Sequence, residues 1–160
     1  ELSTYDERLV PLLNHLNPNF VSALQGARYA IDSAHVDHER HWGASARELI
    51  TQVLHSLAPD PSLRAWSSDP KDFSNGRPTR RARYRYICRG YANLKALEEF
   101  LEADTKLFGS TVDVLQSEVH SMPPPILKQY IPLLHLKIEN ILMTLIKAAR
   151  TSASQEGEGT

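Results

Sequence analysis

The chain has 160 residues, 41% of them hydrophobic and 23% charged, with 18 Lys and Arg against 19 Asp and Glu. That is one ordinary domain, long enough to bury a core, and it excludes a disordered chain, a collagen-like chain and a disulfide scaffold. A net charge of −1 argues at first sight against a nucleic-acid binder, but a net charge is a sum and can conceal opposite local charges.

The first helix is predicted over about residues 4–16, ending at Asn17-Pro18, where proline disfavours helical geometry in the residue before it. The second covers about 18–33, with Phe20, Ala23, Leu24, Ala27 and Ile31 on one side. A third covers about 37–57, its core stripe formed by Trp42, Ala46, Leu49, Val53 and Leu57. A long, turn-rich loop follows, with one short helical turn near 63–66 and a turn signal at Asn75-Gly76. The fourth helix opens near Pro78-Thr79 and stops at Gly90, with Tyr84, Ile87, Cys88 and Tyr91 as its apolar stripe. The fifth runs over about 93–119, with a break expected at Gly109, and its stripe is Leu94, Leu97, Leu101, Leu107, Phe108, Val112 and Leu115. The last runs over about 126–150. No period-2 strand stands out, so the expectation is an all-α single-domain bundle of five or six main helices over 1–150. The polar, small-residue stretch 151–160 is expected to be a disordered tail.

The single cysteine, Cys88, excludes an internal disulfide and multi-cysteine zinc sets, and its place on an apolar stripe predicts a buried, inert thiol. No apolar run is long enough to span a membrane, and no targeting or lipidation motif is present. The start at Glu1 rather than Met suggests a processed or excised piece, and a reducing cytoplasm is the expected setting.

The charge is unevenly spread. Between Asp72 and Glu98 there is no acidic residue, while Arg77, Arg80, Arg81, Arg83, Arg85, Arg89 and Lys95 supply seven positive charges. The remainder of the chain therefore carries −8. Arginine reads phosphates and carboxylates bidentately. Helical projection puts Arg81, Arg85 and Arg89 on one flank of the fourth helix and Arg83 on the other. This is either a solvated face paired with acids of neighbouring helices or a phosphate-tracking ridge with tyrosines placed for stacking.

Three further features stand out. Asp104 projects onto the apolar stripe of the fifth helix and needs a partner, for which the arginine-rich helix is the expected source. On the third helix His41, Ser45, Glu48, Gln52 and His55 make a polar ribbon beside the core, suited to acid–base chemistry or to a hydrogen-bonded packing seam. His35, His38 and His41 are spaced by three rather than four, so they do not present one helix face to a metal. No metal and no cofactor is expected, and glycine-rich nucleotide loops and the Gly-x-Ser-x-Gly elbow are absent.

Several strings together resemble the bacterial family of predicted pPIWI-associating nucleases. They are Arg40-His41 with Ser45-x-Arg47-Glu48-Leu49, then Leu54-His55-x-Leu57-Ala58-Pro59, then Gly76-Arg77-Pro78-Thr79-Arg80-Arg81-Ala82-Arg83. The later Phe100-x-x-x-Asp104 and His120 fit as well, and the resemblance covers roughly residues 17–146. It implies a nuclease role in prokaryotic defence, acting on RNA or DNA, with His41, Glu48, Asp104 and His120 as acid–base and orienting groups. Of the arginines, Arg47, Arg80, Arg81 and Arg83 match the family strings, and together with Arg85 and Arg89 of the same charged segment they would hold phosphates. The alternative is a non-catalytic helical module that binds nucleic acid or a defence-system protein, its Arg–Asp–His network being structural. Whether the chain works as a homodimer is left open. An Arg-x(4–6)-His motif, used by all-α HEPN ribonucleases, has a literal match in Arg28 and His35, but it lies at a helix end, outside the resembling strings, and reads as coincidence.

Overall fold

The computed structural model describes residues 5–32, 37–91, 94–118 and 130–159, with the side chains of 94, 108 and 111–118 excluded. The described elements are α1 (Leu9–Leu16), α2 (Pro18–Asp32), α3 (His38–Leu57), α4 (Asp60–Trp66), a 3-10 turn (Pro70–Asp72), β1 (Phe73–Ser74), β2 (Arg77–Pro78), α5 (Arg80–Ile87), α6 (Leu94–Glu118) and α7 (Ile131–Gly157). The fold is all-α, as the periodicity predicts, and α4 is the short turn expected within the loop. Among the described residues no helix is long and apolar enough to cross a membrane.

Helix α3 is the hub, packing against α2, α5, α6 and α7. Trp42, Ala46, Leu49 and Val53 are buried as predicted, and Ile50 and Leu54 join them. From α7, Ile138, Ile141, Leu142, Leu145 and Ile146 complete the core. Tyr84 and Ile87 of α5 and Cys88 just beyond it are buried, and burial pushes the Cys88 thiol up to about 11, so it stays a protonated, inert group.

The structure departs from the sequence expectation in five places. Helix α1 begins at Leu9 rather than near residue 4: residues 6–9 form a turn in which the Asp6 side chain accepts the Arg8 amide and its carbonyl the Leu9 amide, while the Asp6 amide donates to the Glu139 carboxylate on α7. The Asn75-Gly76 turn closes a small antiparallel hairpin, β1–β2, because both residues adopt positive φ (50° and 74°), which such two-residue hairpins require. Helix α6 runs through Gly109 without a break.

Its buried line is also rotated from the predicted stripe. Glu98, Leu101 and Thr105 are inside, whereas Leu107 is 60% exposed. Glu98 turns inward because Arg81 and Arg85 meet it from α5, and a paired carboxylate is tolerated where a lone one is not.

Finally, α7 continues to Gly157, so residues 151–157, expected to be disordered, are helical. Composition missed the tertiary anchor. Ser152 is buried, donates its hydroxyl to the Ile87 carbonyl at 2.7 Å and accepts the Gly90 amide at 3.0 Å, capping the end of α5. Glu156 then accepts two hydrogen bonds from Arg89, at 2.6 and 3.0 Å.

Gly90 makes this approach feasible: a Cβ there would meet the Ser152 Cα at 2.6 Å. Gly90→Ala is expected to destabilise the fold by about 1–3 kcal/mol, the usual cost of overpacking, read as a lower urea midpoint. An unchanged midpoint would show that α5 and α7 separate freely there.

Candidate functional site

The hairpin sets the start of α5. The Thr79 amide donates to the Asp72 carbonyl at 2.8 Å, and the Thr79 hydroxyl caps the helix by accepting the Ala82 amide at 3.1 Å. This aims the first turn of α5 at the C-terminal half of α3. Between them, with α6 as the far wall, lies a cleft of about 370 Å³ lined by Arg47, Thr51, His55, Arg80, Arg83 and Thr105 over an apolar floor of Ile50, Leu54 and Pro78.

The charges of the arginine-rich segment sort into two sets. Arg81 pairs with Glu98 at 2.9 Å, Arg85 with Asp72 and, at 3.8 Å, Glu98, and Arg89 with Glu156. These three form the flank that projection selected as a phosphate ridge, and acids of their own chain already hold them. The tyrosines beside them are covered too: Tyr84 is buried, while Tyr86 lies under the Arg89 guanidinium and edge-on to Trp66.

The second set faces the cleft. Arg83 is nearly buried and fixed by the Ala58 carbonyl and by Asp60 at 2.6 Å, an ion pair that holds the Asp60 carboxyl below its ordinary range. Arg47 and Arg80 are exposed. Arg80 makes no ion pair with any described residue, and it occupies the first helical turn, where backbone amides without intrahelical partners and the helix dipole already favour anions. A cation in that first turn adds to the helix's own positive end and concentrates positive potential over one opening.

His55 stands in that field. Partial burial, and then the neighbouring Arg83 charge, push its pKa below the ordinary 6.5, with Asp60 pulling weakly the other way. It is therefore a neutral imidazole at pH 7, able to accept a proton.

The polar ribbon of α3 is solvent-facing rather than a buried seam: His41, Glu48, Gln52 and His55 are exposed, and Glu48 accepts a hydrogen bond from Gln52 at 2.7 Å. Arg47 and His55 line the cleft, whereas His41 and Glu48 do not. Asp104 is paired with Lys137 of α7, not with the arginine-rich helix as expected, because the rotation of α6 turns it toward α7 and brings Glu98 to the arginines instead. It too lies off the cleft. His120 lies outside the described residues. Arg28, of the literal Arg-x(4–6)-His match, hydrogen-bonds to Glu139 at 2.9 Å and covers the Tyr5 ring, while His35 is outside the described residues. Among the described residues no three His, Cys, Asp or Glu side chains are close enough to hold a metal ion.

The cleft residue that sequence reasoning passed over is His55, although it stands in both the ribbon and the string Leu54-His55-x-Leu57-Ala58-Pro59. Its signal was present; its nearness to Arg80 and Arg83 was not, since the intervening loop hides it.

No curated protein and no solved structure matches the chain. A family model described as "Predicted pPIWI-associating nuclease" matches residues 13–145, which takes in α2 to α6, the whole cleft and most of α7. With most of its length so matched, the chain belongs to the predicted pPIWI-associating nucleases.

Proposed function

We propose that this domain binds and cleaves a nucleic-acid phosphodiester in the cleft between α3 and α5. The observation that carries the proposal is the convergence of Arg47, Arg80 and Arg83 with His55 on one opening, while Arg81, Arg85 and Arg89 are tied to acids elsewhere. Arg80 and Arg47 would hold the non-bridging oxygens, Arg83 would add charge from behind, and all three would stabilise the negative charge that builds up in the transition state. His55 would take the proton from the attacking hydroxyl or water as its oxygen bonds to phosphorus; the P–O bond to the leaving nucleoside oxygen breaks, and that oxygen takes a proton from solvent or from the same imidazole. The domain would act beside a pPIWI protein, as the family description suggests, and, as the sequence leads one to expect, in the bacterial cytoplasm as part of a defence system.

The test is incubation of the protein with labelled single-stranded RNA and DNA, with and without EDTA. His55→Ala should lower cleavage roughly 10²–10⁴-fold, the ordinary worth of a positioned base, while retaining binding. Because a base must be neutral to act, the rate should rise with pH through a midpoint below 6.5 and then level off. Unchanged cleavage in His55→Ala would sink the assignment. A second reading, binding without cleavage, is favoured by His55 being the one described acid–base group lining the cleft apart from its arginines. Tight binding with no cleavage by wild type would decide for it.

A further inference from the structure

A second opening, of about 290 Å³, adjoins the cleft and shares Arg80, Thr105 and Gly109 with it. Its remaining walls are Tyr84, Glu102, Lys106 and Ser110. The two openings differ in chemistry. No carboxylate lines the first, whereas Glu102 lines the second, and a carboxylate repels a phosphate but accepts hydrogen bonds from hydroxyl or amino groups.

Tyr84 supplies the complementary donor. Its side chain is fully buried, and its hydroxyl, beside Thr105 and Arg80, meets neither at full hydrogen-bond geometry. The Thr105 hydroxyl beside it donates to the Leu101 carbonyl at 2.7 Å. Burial raises the Tyr84 phenol above its ordinary 10, so it keeps its proton. Buried hydroxyls without partners are rare in native proteins and mark a place that a ligand or ordered water completes.

Building on the arginine cleft as a phosphate site, we infer that this second opening is a nucleoside subsite, taking the sugar hydroxyls and base of the nucleotide whose phosphate the arginines hold. A sugar hydroxyl both donates and accepts, and the subsite offers Glu102 as acceptor and Tyr84 as donor. A ribose, with its 2′-hydroxyl, engages such a pair more fully than a deoxyribose.

The test is calorimetric titration with inorganic phosphate, ribose 5-phosphate, uridine 5′-monophosphate and its 2′-deoxy form, against wild type, Tyr84→Phe, Glu102→Gln and Arg80→Ala. Uridine monophosphate should bind wild type at least tenfold more tightly than phosphate, with ribose 5-phosphate between them and the deoxy form weaker. Tyr84→Phe and Glu102→Gln should erase most of that gap and leave phosphate binding unchanged. Tyr84→Phe should melt no lower than wild type, because the hydroxyl it loses made no full hydrogen bond in the fold. Equal binding of phosphate and uridine monophosphate, or variants that bind the nucleotide as wild type does, would overturn the subsite. Equal binding of the deoxy form would overturn its preference for ribose. Nucleotide binding that depends on Tyr84 but not on Arg80, with no affinity for phosphate, would overturn the phosphate cleft and support the subsite alone. No binding of any probe would overturn both.

Discussion

Arg28→Ala is expected to cost this protein about 3 kcal/mol of stability, a drop in Tm of roughly 6–12 °C for a chain of this size. The Glu139 carboxylate is completely buried on α7. It is held by Arg28 Nε at 2.9 Å, by His135 Nε2 at 2.8 Å and by the Asp6 amide at 2.6 Å. The tautomer of His135 follows from its other side: the Trp42 indole N–H donates to Nδ1 at 3.0 Å, so Nε2 carries the proton that goes to Glu139. One chain of hydrogen bonds thus joins α3, α7, α2 and the segment before α1.

Removing the guanidinium leaves an ionised carboxylate in the core with only neutral donors. The pH dependence distinguishes this from a simple loss of packing. Burial raises the Glu139 pKa, but the hydrogen bonds from His135, Arg28 and Asp6 outweigh it, and the folded value lies below 4.5. A depressed carboxylate stabilises the fold above its unfolded pKa and loses that contribution as pH falls through its folded pKa. The gap between wild type and Arg28→Ala should therefore be widest near neutrality and narrow below about pH 4.5, as followed by urea denaturation across pH. A gap independent of pH would point to the packing of the arginine stem rather than to its charge.

Arg80→Glu should weaken binding of single-stranded nucleic acid about 10- to 150-fold, the loss of roughly 1.5–3 kcal/mol expected for hydrogen bonds to a charged group, with the fold intact. The salt dependence should flatten as well, by about 0.7 in log–log slope for each phosphate that is no longer neutralised. Arg89→Glu is the matched control. It carries the same charge change, beyond the end of α5 rather than at its start, but it breaks the pair with Glu156 and loosens α7 from α5. It should lower Tm and leave binding nearly unchanged. Equal weakening by both reversals would mean that net charge alone governs binding and that the cleft has no special part in it.

Much of the fold was legible because helical periodicity is a local property. The stripes Trp42–Ala46–Leu49–Val53 and Tyr84–Ile87–Cys88 are buried where their spacing puts them. The stripe of α6 was misread by a part-turn, since Leu107 competes with Glu98 for the inward face and apolarity alone favours the leucine. What reverses the choice is a pair of arginines on another helix. The tail was misread for the same reason: nothing local in Thr-Ser-Ala-Ser-Gln-Glu-Gly marks a helix, and its order comes from Ser152 and Glu156 meeting α5.

The candidate site divides along the same line. By itself the sequence determined the all-helical class, the family strings and an arginine-dense segment free of acids, because composition and spacing are carried in the chain. Which arginines face the cleft was a tertiary decision. Asp60, Asp72, Glu98 and Glu156 come from four other places in the chain and bind four arginines, holding three to structural duty and fixing Arg83 at the back of the cleft. A charge's function depends on the field of its neighbours, and only folding gathered Arg47, His55 and Arg80 around one opening.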